Sequence, residues 1–431
     1  MPAPATQAHG LGGATQTHQL GGAMAWWVWA LTVTFVVYLF SFQTGYAIVN
    51  KNVQNDVGLS IAQVGTIAAI YTWAFAICQF FGGALLDRLG ARAVLPISIA
   101  LVTLGIFIFA NATSYEMLIL SQIVIAMGSC TGFVGAGYIG GKWFGMAKFS
   151  FMFGLVQVVA ALTSAFSQNL IDLALTSMTW RSLFNATAVF GILLCIVGFM
   201  YIKNPEPVAS LSSAGTGEFF TSVIKGFMEV AKIQHVWIAS FVGALTFGAL
   251  LALGVVWMPK LLQVHGLSEG SATFGASMLW LGLAAGSALI PNWSDVLRAR
   301  KMPMVVGGIV QLLVFVIMLN FPLGTGAAYL LCFIFGFANA THMLAFSTAA
   351  DVVQPNQIGT SAAIVNGIMF ILGGILISRP GVRIGMGLEQ GIQAGTLEAA
   401  QFAGRPLVIA LAASVILAMI MKETYPKASN Q

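Results

Sequence analysis

Long apolar runs broken by brief polar punctuation dominate the chain. Cut at charges, prolines and polar clusters, it yields apolar stretches over 25–49, 61–86, 93–111, 115–140, 149–173, 182–202, 234–258, 270–291, 303–321, 327–350, 359–382 and 404–421. A helix needs roughly 20 apolar residues to cross a bilayer core, so each stretch predicts one membrane span. Two connections are long: 203–233, polar and with helical character, and 383–403, rich in Gly and Gln. The first divides an all-α membrane protein into two six-helix bundles, 25–202 and 234–421, with 203–233 as a cytoplasmic linker. Residues 1–24, which hold no Lys or Arg, read as a disordered cytoplasmic tail, and 422–431 as a second tail.

Composition narrows the class. Of 431 residues, 58% are hydrophobic and 7% charged, whereas soluble domains carry roughly 25% charged residues. That excludes a water-soluble enzyme, a nucleic-acid binder and a coiled coil. The net charge of +5 is informative only loop by loop. With the N-terminus inside, Lys51, Arg181, Lys260, Arg379, Arg383 and Arg405 fall on outer segments or outer helix ends, and the other twelve of the 18 Lys and Arg residues fall inside. Basic residues concentrate on the cytoplasmic side of membrane proteins, so both termini are expected there. Cys78, Cys130, Cys195 and Cys332 lie in apolar stretches without paired spacing and read as buried small hydrophobes. Trp26, Trp27, Trp29, Trp143, Trp180, Trp237, Trp257 and Trp293 stand at helix ends and read as interfacial belts, while Trp73, in mid-span, is expected to pack inside. No phosphate-binding loop, paired-cysteine set, H-E-x-x-H or G-x-S-x-G occurs, so no catalytic residue, cofactor or metal site is expected.

The chain repeats itself. Gly58-Leu59-Ser60 precedes the second stretch and Gly266-Leu267-Ser268 the eighth, an offset of 208. Asp87 and Arg92 recur as Asp295 and Arg300, and Gly128 as Gly336, at the same offset. Three separated features at one offset mark parallel repeats, an architecture that places a solute site between the halves near mid-membrane. Between the second and third stretches, Gly83-Ala84-Leu85-Leu86-Asp87-Arg88-Leu89-Gly90-Ala91-Arg92 resembles the G-x-L-x-D-R-x-G-x-R loop motif of the major facilitator superfamily. A weaker copy, Trp293-Ser294-Asp295 with Arg298, Arg300 and Lys301, sits where that family carries its second copy. Trp143-Phe144, Trp180-Arg181 with Phe184, and the run from Gly359-Thr360 to Asn366 followed by Gly373-Gly374 also match family habits.

This resemblance covers nearly the whole chain. It implies a twelve-helix fold and secondary transport by alternating access, with spans 1, 4, 7 and 10 lining a cavity and 2, 5, 8 and 11 assisting. Two departures weaken a drug-exporter reading. Gln122 stands ahead of Gly128 where span four commonly carries an Arg, and the Gly-Pro motif of many drug/proton antiporters is missing from Gly154 to Asp172. Physically the loop motif reads as a latch. Gly83 permits close helix approach, and Asp87 can accept from Arg88, Arg92 or the free N–H groups that start span eleven near Gly359, Thr360 and Ser361, where the helix dipole favours an anion. Gly83, Asp87, Arg88, Gly90 and Arg92, with Asp295, Arg298 and Arg300, are therefore the gating candidates; the bland reading is a loop staple that sets topology.

Polar side chains inside a membrane face a cavity or a partner. In span five Gln157, Ser164, Gln168 and Asp172 are spaced 7, 4 and 4 and share a helical face. Thr32, Gln43 and Asn50 with Tyr46 nearby mark span one, Gln122 and Ser129 span four, and Ser277, Trp280, Ala284 and Ser287 span eight. Asn339 and His342 share a face of span ten. The expected substrate contacts are Gln43, Tyr46, Gln122, Gln157, Ser164, Gln168, Trp280, Asn339, His342, Asn366 and Arg379; interhelical hydrogen bonding is the alternative for any one of them. His342, a side chain that ordinarily titrates near neutral pH, and Asp172 are the coupling candidates. Arg379 and Arg383 either clamp an anion or anchor a helix end. No interior carboxylate appears in spans one, four, seven or ten, which disfavours a sugar or cation porter with an Asp or Glu relay at mid-membrane. The sequence thus reads as a monomeric bacterial inner-membrane transporter for a small polar anion or zwitterion, coupled to protons or working by exchange, with lipid and no nucleic acid as further partner. Efflux of an amphiphile and a transporter-like receptor that does not cycle are the competing readings.

Overall fold

The computed structural model describes residues 20–59, 61–205, 216–393 and 395–426. Twelve of its helical segments are long and apolar enough to cross a membrane. They are α1 (Ala23–Val57), α2 (Ile61–Leu89), α3 (Ala91–Ala110), α4 (Tyr115–Phe144), α5 (Phe149–Leu175), α6 (Trp180–Tyr201), α7 (Gln234–Val264), α8 (Glu269–Leu297), α9 (Lys301–Asn320), α10 (Thr325–Ala350), α11 (Ile358–Glu389) and α12 (Leu397–Ile420). A further helix, Thr216–Ala231, lies in the expected linker. Of the expected tails, residues 1–19 and 427–431 lie outside the described residues, and α1 begins at Ala23.

Helices are the answer to lipid, where each backbone N–H and C=O must pair within its own segment. Their ends carry local signals. Ser114, Thr179, Ser268 and Thr396 accept from the backbone N–H of Met117, Ser182, Ser271 and Ala399, capping α4, α6, α8 and α12. The repeated Gly-Leu-Ser is a turn: Gly58 and Gly266 take left-handed backbone at φ 74° and 85°, after which Ser268 caps α8. Ser60 lies outside the described residues.

Three spans are irregular. α4 breaks at Cys130 and Thr131, α10 at a 3-10 turn over Ala340–Met343, and α7 swells into a π-helical turn at Leu253–Trp257. α11 runs on to Glu389, beyond the 382 expected, so the long Gly- and Gln-rich connection shrinks to a few residues. Pro380 does not end the helix. The Trp257 indole donates to the Ile377 carbonyl at 2.8 Å in the turn before it, and Arg383 Nε donates to the Phe402 carbonyl at 2.6 Å beyond it.

The halves meet where α2 lies along α11 and α5 along α8. Within each half, Gly128 and Gly336 let α4 approach α3 and α10 approach α8; a Cβ on Gly128 would sit 2.5 Å from the Ser98 carbonyl oxygen, and one on Gly336 would strike the Leu279 carbonyl. The belt expectation fits Trp26, Trp27 and Trp293, which are exposed. It fails for Trp143 and Trp180, which are buried pegs whose indoles donate to the Lys203 carbonyl and the Asp56 carboxylate. Trp73 is 56% exposed on the outside of α2 and does not pack inside. Cys130 and Cys332 are buried, Cys78 and Cys195 half-buried, and all four are free thiols.

On the membrane side that carries the α2–α3 and α8–α9 connections, here termed the loop side, the second motif copy closes on its own half. Arg300 Nη1 reaches Asp295 Oδ1 at 2.6 Å and Ser294 Oγ at 3.0 Å, and its Nε reaches Asp351 Oδ2 at 3.3 Å. Its guanidinium lies over the Tyr425 ring, and Glu423 caps α9 by accepting from the backbone N–H of Arg300 and Lys301. Arg298 is exposed, its left-handed φ of 50° closing α8. Burial pushes the Asp351 carboxyl up to about 6, against the lowering pull of Arg300. Burial also opposes the Glu423 charge, but four backbone N–H groups outweigh it and hold that carboxyl below its usual range.

Gly336→Leu should cost about 1–3 kcal/mol, read as a lower unfolding temperature of the detergent-purified protein; an unchanged melt would refute the close α8–α10 contact. Because Asp351 holds its proton more tightly in the folded than in the unfolded chain, its contribution is complete below the ordinary aspartate range and is lost as pH rises through about 6. Melting curves of wild type and Asp351→Asn should therefore converge in acid, with the variant the more stable above that window.

Candidate functional site

The tightest link between the halves is a carboxylate on a helix terminus. Asp87, in the last turn of α2, accepts from Gly359 N at 2.9 Å through Oδ1, and from Thr360 N at 2.7 Å and Thr360 Oγ1 at 2.8 Å through Oδ2. The start of α11 offers unpaired N–H groups and the positive end of the helix dipole. Two glycines make the approach feasible: a Cβ on Gly359 would lie 2.8 Å from the Gly83 carbonyl oxygen and 2.9 Å from Asp87 Oδ1. Neither Arg88 nor Arg92 forms an ion pair with Asp87 among the described residues. A Cβ on Gly226 of the linker helix would meet the Arg88 guanidinium at 3.1 Å, and Arg92 gives its backbone N–H to Asn204 Oδ1 at 3.1 Å. Gly90, at φ 74°, starts α3. The linker helix also touches both halves, through Phe227 on Phe80 of α2 and through Glu229, which accepts from Gln357 just before α11.

Further contacts shut the same side. The hydroxyls of Ser150 (α5) and Ser347 (α10) share a hydrogen bond of 2.8 Å across the halves. Phe153 meets Phe346 at 4.4 Å, and Phe133 of α4 meets both, forming a buried aromatic plug. Gly154 admits α8, since a Cβ there would sit 2.5 Å from the Ser287 carbonyl oxygen and 2.7 Å from Pro291 Cγ.

Asn339 directly precedes the break in α10, and His342 lies within it. Asn339 Nδ2 donates to the Thr246 carbonyl of α7 and to Gln311 Oε1 of α9, both at 2.8 Å, while its own Oδ1 has no partner among the described residues. His342 Nδ1 lies 2.8 Å from the Asn339 carbonyl, so Nδ1 carries the hydrogen and Nε2 keeps a lone pair in the neutral ring. The ring stacks on Phe247 at 4.6 Å; Phe247 meets Phe370 of α11, and Phe370 meets Phe75 of α2 at 4.7 Å. An unbroken run of rings thus leads from His342 to the first half.

Nearer the contacts that join the halves, polar groups stand without partners. Gln79 of α2 is fully buried with neither amide atom bonded, and Ser287 Oγ of α8, 208 residues on, and Asn366 Nδ2 of α11 are likewise unbonded. Gln79 lies one turn from Gly83, Ser287 one turn from Pro291, and buried Gln157 one turn from Gly154. An unbonded buried amide costs roughly 1–3 kcal/mol, and a site of this kind is met by water or ligand. Gln122 Nε2 is a further unbonded donor. Gln79 was missed in the sequence, although the 208 offset to Ser287 was a signal for it.

The remaining candidates are scattered. Tyr46 donates to the Val64 carbonyl at 3.0 Å, joining α1 to α2, and Gln43 and Ser164 are half-buried. Trp280 lies on the π turn of α7, where a Cβ on Gly254 would meet its ring at 3.0 Å. Arg379 is exposed on the face of α11 that carries exposed Ile375, Val382 and Met386, and the structure does not bring it to Asn339 and His342. The side chains of Gln168, Asp172 and Lys51 lie outside the described residues.

Comparison with known proteins bears on this arrangement. The family model of the Major Facilitator Superfamily matches residues 30–378. The probable galactarate/D-glucarate transporter GudP of Bacillus subtilis (strain 168) is 25% identical over 61% of this chain and 64% of its own length, so the aligned part spans just under two thirds of that relative. The hexuronate transporter of the same organism is 23% identical over 74% of this chain and 78% of its own. Among solved structures, the fucose:proton symporter FucP of E. coli superposes with a TM-score of 0.65 at 17% identity, covering 91% of this chain and 99% of that one; at that identity the likeness concerns the fold. Twelve spans and bacterial relatives of one family mark a multi-pass inner-membrane protein, and those relatives are transporters, not enzymes. The paired six-helix halves, the loop motif bound to α11 and the match over residues 30–378 agree, and the chain belongs to the Major Facilitator Superfamily.

Proposed function

We propose that the protein is a secondary transporter, its loop side cytoplasmic, that carries a small polyhydroxy carboxylate by alternating access. The observation that carries this reading is the set of buried, unbonded polar groups on the facing helices of the two halves: Gln79, Ser287 and Asn366, with Gln157 beside them. Several short, directional donors and acceptors suit a solute with many hydroxyls better than an amphiphile, whose apolar body would leave them unbonded. Relatives named for galactarate/D-glucarate and hexuronate support the same class.

Coupling rests in this scheme on His342, whose ring lies at the break in α10. A neutral His342 offers the anion no charge; protonated at Nε2 it does, so proton and anion enter together and leave together. Asp172, near the far end of α5, is a second proton site in this scheme. With Asp87 docked on α11 and the phenylalanine plug closed, solute enters from the side opposite the loops, and release requires Asp87 to leave Gly359 and Thr360. Gly83 and Gly90 set the geometry of that latch, with the Arg88 guanidinium beside Gly226 of the linker helix and the Arg92 backbone N–H bonded to Asn204.

Proteoliposomes given an acid-outside gradient should accumulate radiolabelled galactarate or a hexuronate, and His342→Gln should keep substrate binding while losing the stimulation by the gradient. Absence of uptake across a panel of sugar acids, with movement of amphiphilic cations instead, would overturn the substrate class. Asp87→Asn preserves shape but removes the charge that strengthens its bonds roughly twofold. In a background without the four natural cysteines, Ser347→Cys should then react several-fold faster with a thiol reagent supplied from the loop side; equal rates would remove the latch.

A further inference from the structure

At the far side of the second half, a pocket of about 450 Å³ opens between α7, α9, α11 and α12. Leu253, Phe315, Leu319, Pro380, Ala403 and Leu407 form its walls, and Lys260, Gln263 and Thr396 supply its polar groups. Irregular backbone and small side chains create the space. α7 widens into its π turn at Leu253–Trp257, α11 carries Pro380, and α12 presents Ala403 and Gly404 where larger residues would fill the gap. None of the unbonded groups at the interface between the halves lines it, so the solute path has no use for it.

An apolar chamber gives water too few hydrogen-bond partners, and at the end of a set of membrane spans the surrounding apolar material is lipid. The rim says which lipid. Lys260 is exposed, its ammonium 4.6 Å over the Trp257 ring, and no ion pair engages it among the described residues. A cation at the mouth of an apolar chamber complements a phosphate above an acyl chain.

We infer that this pocket seats one acyl chain of an anionic glycerophospholipid, with Lys260 meeting its headgroup. The chain touches both segments that the Trp257 bond to the Ile377 carbonyl ties together, so it props the π turn of α7 against α11 at Pro380. The same π turn holds Gly254 under Trp280, which links the lipid to the packing of α8.

Native mass spectrometry of the full-length protein, released from mild detergent after incubation with phosphatidylglycerol or phosphatidylcholine, tests this. One phosphatidylglycerol should persist on the wild type under activation that strips the others, and should raise its melting temperature. Ala403→Phe, which fills the chamber, should lose that lipid and the shift; Ala400→Leu serves as a second filling variant should the first not fold. Lys260→Gln should retain a lipid but lose about fivefold of the preference for phosphatidylglycerol over phosphatidylcholine. Persistence of the lipid on either folded filling variant, or its absence from wild type, would overturn the site. A preference unchanged in Lys260→Gln, as for a lysine that merely snorkels, would overturn the headgroup assignment.

Discussion

One buried carboxylate that forms no ion pair among the described residues sets the distance between the halves. Asp87 takes three hydrogen bonds from the first turn of α11, and a helix terminus is among the few places inside a membrane protein where an anion finds donors and a favourable field together. Donors at 2.7–2.9 Å demand backbones close enough that neither Gly83 nor Gly359 has room for a side chain. With that spacing set, the hydroxyls of Ser150 and Ser347 come within bonding distance and Phe153 and Phe346 close ring to edge. The short contacts on that side thus follow from one electrostatic choice.

The repeat in the sequence is more symmetrical than the structure it produces. Asp295 occupies the place of Asp87, yet its partner is Arg300 of its own loop. The place of Gly83 is taken by Pro291, and the glycine that admits it, Gly154, stands on the partner helix α5. With a proline ring at the contact, the second loop has turned inward, and Asp351 and Glu423 complete a network confined to the second half. The two copies of one motif therefore do different work, one joining the halves and the other bracing a single bundle.

Much of the fold was legible because lipid punishes ambiguity. Span lengths, the Gly-Leu-Ser turns and the 208 offset all survive as helices, left-handed glycines and paired breaks in α4 and α10. For Asp87 the sequence offered two arginines and a helix terminus, and the structure selects the terminus, whose three donors lie at 2.7–2.9 Å. Rotation about a helix axis was harder to see. Trp143 and Trp180 stand at helix ends but point inward, Trp73 stands at mid-depth but points outward, and Arg379 falls on the exposed face of α11. In a helix apolar on every side no stripe shows which way is in. Gln79, Gln311 and Thr246 were invisible for the same reason: a lone polar residue has no period, and its partner comes from another helix.

The uncharged contact between α5 and α8 has a mechanical meaning. Gly154 lies against Pro291 and the Ser287 carbonyl by shape, with no charged bond to break on that edge among the described residues, while the opposite edge is gripped by Asp87. A rigid half that tilts about the uncharged edge moves like a door on its jamb. In the alternating-access cycle proposed above, displacement grows with distance from the pivot and is greatest where the bolt sits, so that edge is the one where Asp87 parts from its three donors. The linker helix, fastened to α2 through Phe227 and to the start of α11 through Glu229, spans that moving edge as a chain spans a door, and its length bounds how far the opening can travel.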